Sequence, residues 1–198
     1  MNSKSPIIIV PGDPNSVFFE IFFKSMNKLK IKSPIILISS KDIVAAQIKK
    51  FKFKKKIKFL DIEDINFNKY NNLNLNIIDI NNKKFKIPKK IKSKSNKYIF
   101  NCFETAFYII KKYNFKKLIN GPINKTKFLD KDYLGITEYI SHKFKLKKSA
   151  MLIYNEKLSV CPLTTHLPLK YIPKKINKIS IIEKIKLINN FYKSKIKK

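Results

Sequence analysis

The chain has 198 residues, of which 44% are hydrophobic, so it can bury a core of one domain or one and a half, and its composition excludes a disordered protein. Its 44 lysines and 13 acidic residues give a formal net charge of +31, and the sequence contains no arginine. Because guanine readout relies on bidentate arginine contacts, this composition argues against specific nucleic-acid binding and leaves weak, salt-sensitive binding to polyanions.

Two cysteines, Cys102 and Cys161, lie within apolar segments and are predicted to be buried thiols in a reducing compartment. No C-x-x-C motif supports a thiolate zinc site. The apolar run at residues 7–10 is too short for a signal peptide, and no run approaches the ~18 residues of a membrane span. We therefore predict a cytoplasmic protein with no membrane partner.

The N-terminal part alternates short apolar runs with helical patterns. Strands are predicted over residues 6–10, 33–40 and 57–62, with helices over about 16–30 and 42–51. The first helix is expected to be capped by Asn15 or Ser16. Its apolar stripe is predicted to contain Phe18, Ile21, Phe22, Met26 and Leu29.

Residues 63–96 are rich in Asn and Lys and are predicted to be irregular and solvent-facing, with a possible short strand at 75–80. Apolar residues at helical spacing predict a helix at about 101–114, and a strand follows at 116–120. This alternation of strands and helices indicates an α/β fold with a largely parallel sheet.

Residues 149–154 and 158–163 flank "NEK" and predict a β-hairpin, which would make the sheet mixed. A capping box from Ser180 to Glu183 is predicted to open a C-terminal helix over 180–196. We therefore predict a single α/β unit with a mixed, largely parallel sheet flanked by helices. It would comprise a strand–helix part at 1–120, a motif-bearing part at 121–172 and the C-terminal helix.

The three glycines of the chain all follow predicted strands or lie in loops, in "GDPNS" (Gly12), "NGPINK" (Gly121) and "GITEY" (Gly135). Since ligands gather at the carboxyl ends of parallel strands, these turns are candidates for a phosphate-binding pocket, together with Asp13. Lys125 and Asn124 would add a charge and an amide, and Thr137 would cap the helix that follows Gly135. The alternative is that each glycine simply allows an ordinary tight turn.

His166 lies in "CPLTTHLPLK", between two threonines and a proline, in a predicted rigid loop. Such a position suits a metal ligand or a general base, and a purely structural histidine is the alternative. His142 lies on a lysine-rich helix and is predicted to be a surface residue. With one glycine per loop the chain has neither a Rossmann nor a P-loop fingerprint.

Taken in order, "GDP", "NGPINK", "LGITEY" and "LTTHLPL" resemble the motifs of the 4-hydroxythreonine-4-phosphate dehydrogenases of vitamin B6 synthesis, over residues 6 to about 172. The resemblance implies a fold like that of isocitrate and isopropylmalate dehydrogenases, and a homodimer. It also implies NAD or NADP as cofactor and a divalent metal such as Zn, Mg or Co held by three histidines. The implied substrate is a small phosphorylated alcohol.

By this resemblance His166 is a metal ligand and Thr137 a substrate contact, whereas Ile136 stands where the family has a substrate-contacting histidine. Family members continue past the end of this chain with the other two metal histidines, so we expect the chain to match the N-terminal portion of the enzyme. Two other functions remain open: a lysine-rich domain that binds polyanions or nucleic acid, and a catalytically dead scaffold that dimerises.

Overall fold

A parallel five-stranded sheet forms the centre of the first of two compact units, Met1–Phe128 and Leu129–Lys198. The structure is a computed structural model that describes residues 5–65, 72–82, 85–86, 88–89, 91–129 and 132–196. The strands lie in the order β3-β4-β2-β1-β5. They are β1 (Ile7–Val10), β2 (Ile35–Ser39), β3 (Ile57–Phe59), β4 (Leu75–Asp79) and β5 (Leu118–Asn120).

Helices cover both faces of this sheet. Successive side chains of a strand point to opposite sides, and because the strands are apolar at successive positions, both faces must be covered. On one face, alternate residues of the strands pack with α1 (Phe18–Lys28) and α2 (Lys41–Phe51) in a cluster that is rich in phenylalanine. On the other face, α3 (Lys94–Tyr113) contacts β1 and β2. The short helix α4 (Lys125–Phe128) ends the first unit. The predicted α/β fold with a largely parallel sheet flanked by helices is confirmed, and every strand pair of the described sheet is parallel, so the expected antiparallel part of a mixed sheet is not found there.

The first helix differs from its prediction in its cap and its buried face. Its N-cap is Val17, which has no capping side chain, although Ser16 Oγ accepts a 3.3 Å hydrogen bond from Phe18 N. The predicted stripe is wrong at two positions, because Ile21 and Leu29 are 59% and 60% exposed. The residues that the helix buries are Phe19, Phe22, Phe23 and Met26.

The segment between β3 and α3 contains a central element of the sheet. The possible strand predicted at 75–80 is confirmed as β4, at residues 75–79. It lies between β3 and β2 and is buried along most of its length, so the prediction of a solvent-facing stretch is wrong there. The rest of that prediction falls partly on residues 66–71, which lie outside the described residues. Helix α3 begins at Lys94, earlier than predicted, because the Ser93 side chain caps it through Asn96 N.

The second unit contains helices α5 (Ile136–Lys143) and α6 (Lys178–Phe191), followed by a π-helix at Tyr192–Ile196. Two short 3-10 helices, Leu169–Tyr171 and Pro173–Lys175, precede α6. The predicted hairpin is reduced to one antiparallel bridge, in which Ile153 and Val160 exchange two backbone hydrogen bonds of 2.9 Å. The described part of this unit adds no strand to the sheet.

Helix α6 begins at Lys178, two residues before the predicted capping box. Asn177 is the N-cap: its side chain accepts from Ser180 N at 2.9 Å, and Ser180 Oγ accepts from Asn177 N at 3.3 Å. The box therefore runs from Asn177 to Ser180, and the prediction of Ser180 and Glu183 is wrong. Within the described residues, no helix is both long enough and apolar enough to cross a lipid bilayer.

Candidate functional site

Two of the glycine turns pack against each other where β1 and β5 end. Gly121 N donates to Val10 O at 2.7 Å, and Asp13 N donates to Pro122 O at 2.8 Å. A Cβ on Gly12 would lie 2.2 Å from Pro122 O, and one on Gly121 would lie 1.9 Å from Pro11 O. Gly12 also has a φ of +77°, in the left-handed region. Close backbone approach therefore explains both glycines.

These turns lie at the point where the strand order reverses, since β2 and β5 flank β1 on opposite sides. Asp13 connects them to α3: its Oδ1 accepts from Asn15 N at 2.9 Å and from Ser95 Oγ at 3.4 Å. The structure thus brings Gly12, Asp13 and Gly121 together. Their role in binding a ligand stays a prediction.

Asn124 and Lys125 lie just beyond the Gly121 turn. Asn124 Oδ1 accepts hydrogen bonds from Thr126 Oγ1 at 2.8 Å and from Lys127 N at 3.1 Å, so it holds the start of α4. Lys125 is exposed. The ammonium group of an exposed lysine can bind a phosphate as a point charge. The substrate role of both residues stays a prediction.

In the second unit, Gly135 lies beneath two polar side chains. A Cβ at this position would lie 2.8 Å from Glu138 Oε2 and 3.0 Å from His166 Nε2, so only glycine leaves both groups where they are. Thr165 Oγ1 donates to Glu138 Oε1 at 3.1 Å. The loop of His166 and the first turn of α5 are thereby joined in one local cluster, Gly135, Glu138, Thr165 and His166, which we call the His166 cluster.

The His166 cluster has two unusual features. His166 is exposed and has a φ of +57°, a conformation that costs a residue with a side chain of the order of 1–3 kcal/mol. Glu138 Oε2 is buried without a hydrogen-bond partner among the described residues. A buried carboxylate oxygen without a partner is unfavourable, so the cluster has an acceptor available to a hydrogen-bond donor or a cation.

Thr137 lies in the first turn of α5 and is half-buried, next to the half-buried Ile136. The prediction that Thr137 caps the helix is wrong: the N-cap is Gly135, whose backbone is extended, and the helix begins at Ile136. The sequence analysis assigns no site role to Glu138, which lies in the segment "GITEY". The sequence signal for its contact with Thr165 is that both residues lie in motif segments, "LGITEY" and "LTTHLPL".

The described residues do not form a complete metal centre. They contain no group of three or more His, Cys, Asp or Glu side chains arranged to hold a metal ion. The His166 cluster offers one imidazole nitrogen, and one carboxylate oxygen that has no hydrogen-bond partner within the described part of the chain. Because a protein zinc site uses at least three protein ligands, these side chains alone do not fit a resident metal.

Comparisons with known proteins agree with this arrangement of motifs. The family model described as "Pyridoxal phosphate biosynthetic protein PdxA" matches residues 30–198. A 4-hydroxythreonine-4-phosphate dehydrogenase from Sulfurihydrogenibium sp. (strain YO3AOP1) is 29% identical over 96% of this chain and 58% of its own length. The corresponding enzyme of Wigglesworthia glossinidia brevipalpis is 26% identical over 96% of this chain and 57% of its own length.

Solved structures show the same fold. The crystal structure of a 4-hydroxythreonine-4-phosphate dehydrogenase from Klebsiella pneumoniae superposes with a TM-score of 0.74 and 21% identity, over 98% of this chain and 60% of that one. The enzyme from Burkholderia phymatum gives a TM-score of 0.72 and 18% identity. The chain thus spans less than two thirds of the length of these relatives. Since the family model covers most of the sequence, the chain belongs to the PdxA family of pyridoxal phosphate biosynthetic proteins.

Proposed function

We propose that this protein takes part in pyridoxal phosphate biosynthesis as a 4-hydroxythreonine-4-phosphate dehydrogenase. The observation that carries the proposal is the family match over residues 30–198, which includes all but the first of the motif segments. The His166 cluster supports it, because the fold brings together the motif residues Gly135 and His166, which lie far apart in the sequence.

The proposed reaction oxidises the secondary alcohol of 4-phosphooxy-threonine. The hydroxyl gives up its proton, and the carbon that bears it transfers a hydride to NAD or NADP. The product is a β-keto acid, which loses carbon dioxide. We assign Thr137 to substrate contact, and Asn124 and Lys125 to the phosphorylated end, where an ammonium group neutralises phosphate charge.

His166 is proposed to provide one ligand of a divalent metal, which would act as a Lewis acid at the substrate hydroxyl. Its exposed imidazole and its position over Gly135 support this role. The chain has one other histidine, His142, so a three-histidine site would need ligands from outside this chain. A homodimer in the cytoplasm is the proposed context. Ile136 has no hydrogen-bonding side chain, so the contact that the family's histidine makes would be missing.

The test is substrate-dependent formation of NADH or NADPH by the purified chain, with Zn, Mg or Co supplied in turn. We expect reduced cofactor and carbon dioxide to appear together, in a ratio of one to one, and only when 4-phosphooxy-threonine is present. Absence of turnover with every metal and both cofactors would contradict the assignment of this activity to the chain, and would favour the scaffold that only dimerises.

A second candidate function is polyanion binding, which the net charge of +31 favours. It predicts binding of single-stranded DNA that persists at physiological salt. Lysine-mediated phosphate contacts release counterions, so purely nonspecific binding should weaken steeply as salt rises. Fluorescence anisotropy across a salt series decides: loss of binding below physiological salt would exclude this function.

A further inference from the structure

The loop that carries His166 adopts a backbone conformation that its own residues do not favour. His166 has a φ of +57°, and left-handed residues with a Cβ persist only where surrounding contacts fix them. The imidazole is exposed, so burial of the ring does not supply that constraint. Other contacts of this loop must therefore hold it in place.

One such contact is the hydrogen bond from Thr165 Oγ1 to Glu138 Oε1, at 3.1 Å and partly buried. It ties the residue before His166 to the first turn of α5. Glu138 is well placed for this, because a carboxylate near a helix N-terminus is favoured by the helix dipole. The loop is thereby connected to the helix that begins beside Gly135.

The second contact is with Gly135. A Cβ there would lie 3.0 Å from His166 Nε2 and 3.2 Å from His166 Cδ2, so the imidazole edge lies directly against the glycine. Glu138 Oε2 approaches the same point to 2.8 Å. The imidazole and the carboxylate thus share the space that a side chain at position 135 would occupy.

We propose that Glu138 and Thr165 are positioning residues that hold the imidazole of His166 over Gly135, ready to bind its ligand. The inference rests on the proposed role of His166 in the dehydrogenase. The Thr165–Glu138 hydrogen bond fixes the loop. Because Gly135 has no side chain, there is space for the imidazole ring. Neither residue needs to touch the substrate.

The chain has two histidines, so the ring of His166 can be followed by NMR without ambiguity. In the ¹⁵N,¹³C-labelled full chain, without metal, cofactor or substrate, we expect a nuclear Overhauser effect between His166 Hδ2 and the Gly135 Hα protons. His142 provides the internal control, because its Nδ1 lies 2.9 Å from the Tyr133 hydroxyl in the same unit. Its signal to Tyr133 reports whether the unit is folded.

The decisive pair is Thr165→Ser and Thr165→Val. Serine keeps the hydroxyl that donates to Glu138 and should retain the His166–Gly135 signal, whereas valine has the same shape without the donor and should reduce it several-fold. Glu138→Ala should reduce it as Thr165→Val does. The His142–Tyr133 signal should stay unchanged in all three variants.

An unchanged His166–Gly135 signal in Thr165→Val and Glu138→Ala would overturn the proposal. If Thr165→Val also loses the control signal, Glu138→Asp decides, since the shorter side chain keeps its charge but draws back from Thr165. A retained ring signal in that variant would equally contradict the proposal. Because no turnover is measured, failure here is distinct from failure of the proposed dehydrogenase activity.

Discussion

The three glycines of this chain serve two different purposes, and the type of atom that lies next to each glycine distinguishes them. Gly12 and Gly121 face backbone atoms, which cannot move aside, whereas Gly135 faces the ends of two flexible side chains. We therefore expect Gly12→Ala and Gly121→Ala to lower the free energy of unfolding by about 2–4 kcal/mol, through backbone strain and displacement of the paired turns.

The matched control is Gly135→Ala, measured by the same urea denaturation. Its φ of −164° suits any residue, so we expect a loss of less than ~1 kcal/mol together with displacement of the His166 ring. If Gly135→Ala proved as destabilising as Gly12→Ala, the distinction between the two kinds of glycine would be wrong.

The two thiols should differ in reactivity. Cys102 is fully buried, as predicted, and burial raises the pKa of its thiol well above the ordinary value, so it stays protonated and unreactive near neutral pH. Cys161 is only half-buried, so the prediction of a second buried thiol is wrong.

A thiol reagent such as Ellman's should therefore titrate one cysteine in the native chain and two in denaturant. Cys161→Ser should abolish the native reaction. Rapid native reaction of Cys161→Ser would show that Cys102 is accessible and would contradict the packing of α3 against the sheet.

At the level of elements, hydrophobic spacing predicted most helices and strands of the first unit, but not which face a helix buries. In "FFEIFF", phenylalanines occupy both candidate faces, so the sequence cannot decide between Phe18 and Phe19; packing against β1 and β2 does. The strand β4 is similar: its neighbours in sequence are polar, and only pairing on both sides makes it central.

Helix starts were displaced because capping depends on backbone conformation as well as residue type. Asn177 and Gly135 have extended backbones and act as N-caps in place of Ser180 and Thr137. The His166 cluster was predicted in part: the sequence named Gly135 and His166, but the contact of Thr165 with Glu138 depends on how the loop folds back onto α5.

The capping of α6 gives a prediction at this scale. Asn177→Ala removes the side-chain acceptor for Ser180 N, and we expect a loss of about 1 kcal/mol in stability, with reduced helicity by circular dichroism. Glu183→Gln removes only an exposed ion pair with Lys148, so its effect should be smaller. A larger effect of Glu183→Gln would contradict the Asn177 cap and support the capping box of Ser180 and Glu183 that the sequence predicts.

For the whole molecule, the fold and the family are shown, and the catalytic assignment is the central proposal. The parallel sheet has the fold of known PdxA dehydrogenases, and the chain covers about 60% of the Klebsiella pneumoniae enzyme. The net charge of +31 favours the approach of phosphorylated substrates as well as other polyanions. Charge alone therefore does not distinguish the two functions, whereas only the proposed dehydrogenase activity depends on His166.

The most direct test compares His166→Ala with the matched control His142→Ala in the metal-supplemented assay with 4-phosphooxy-threonine. We expect His166→Ala to lower the rate of cofactor reduction at least ~100-fold, because it removes the proposed metal ligand, while His142→Ala should retain nearly the full rate. Equal rates for the two variants would contradict the assignment of His166 to the active site.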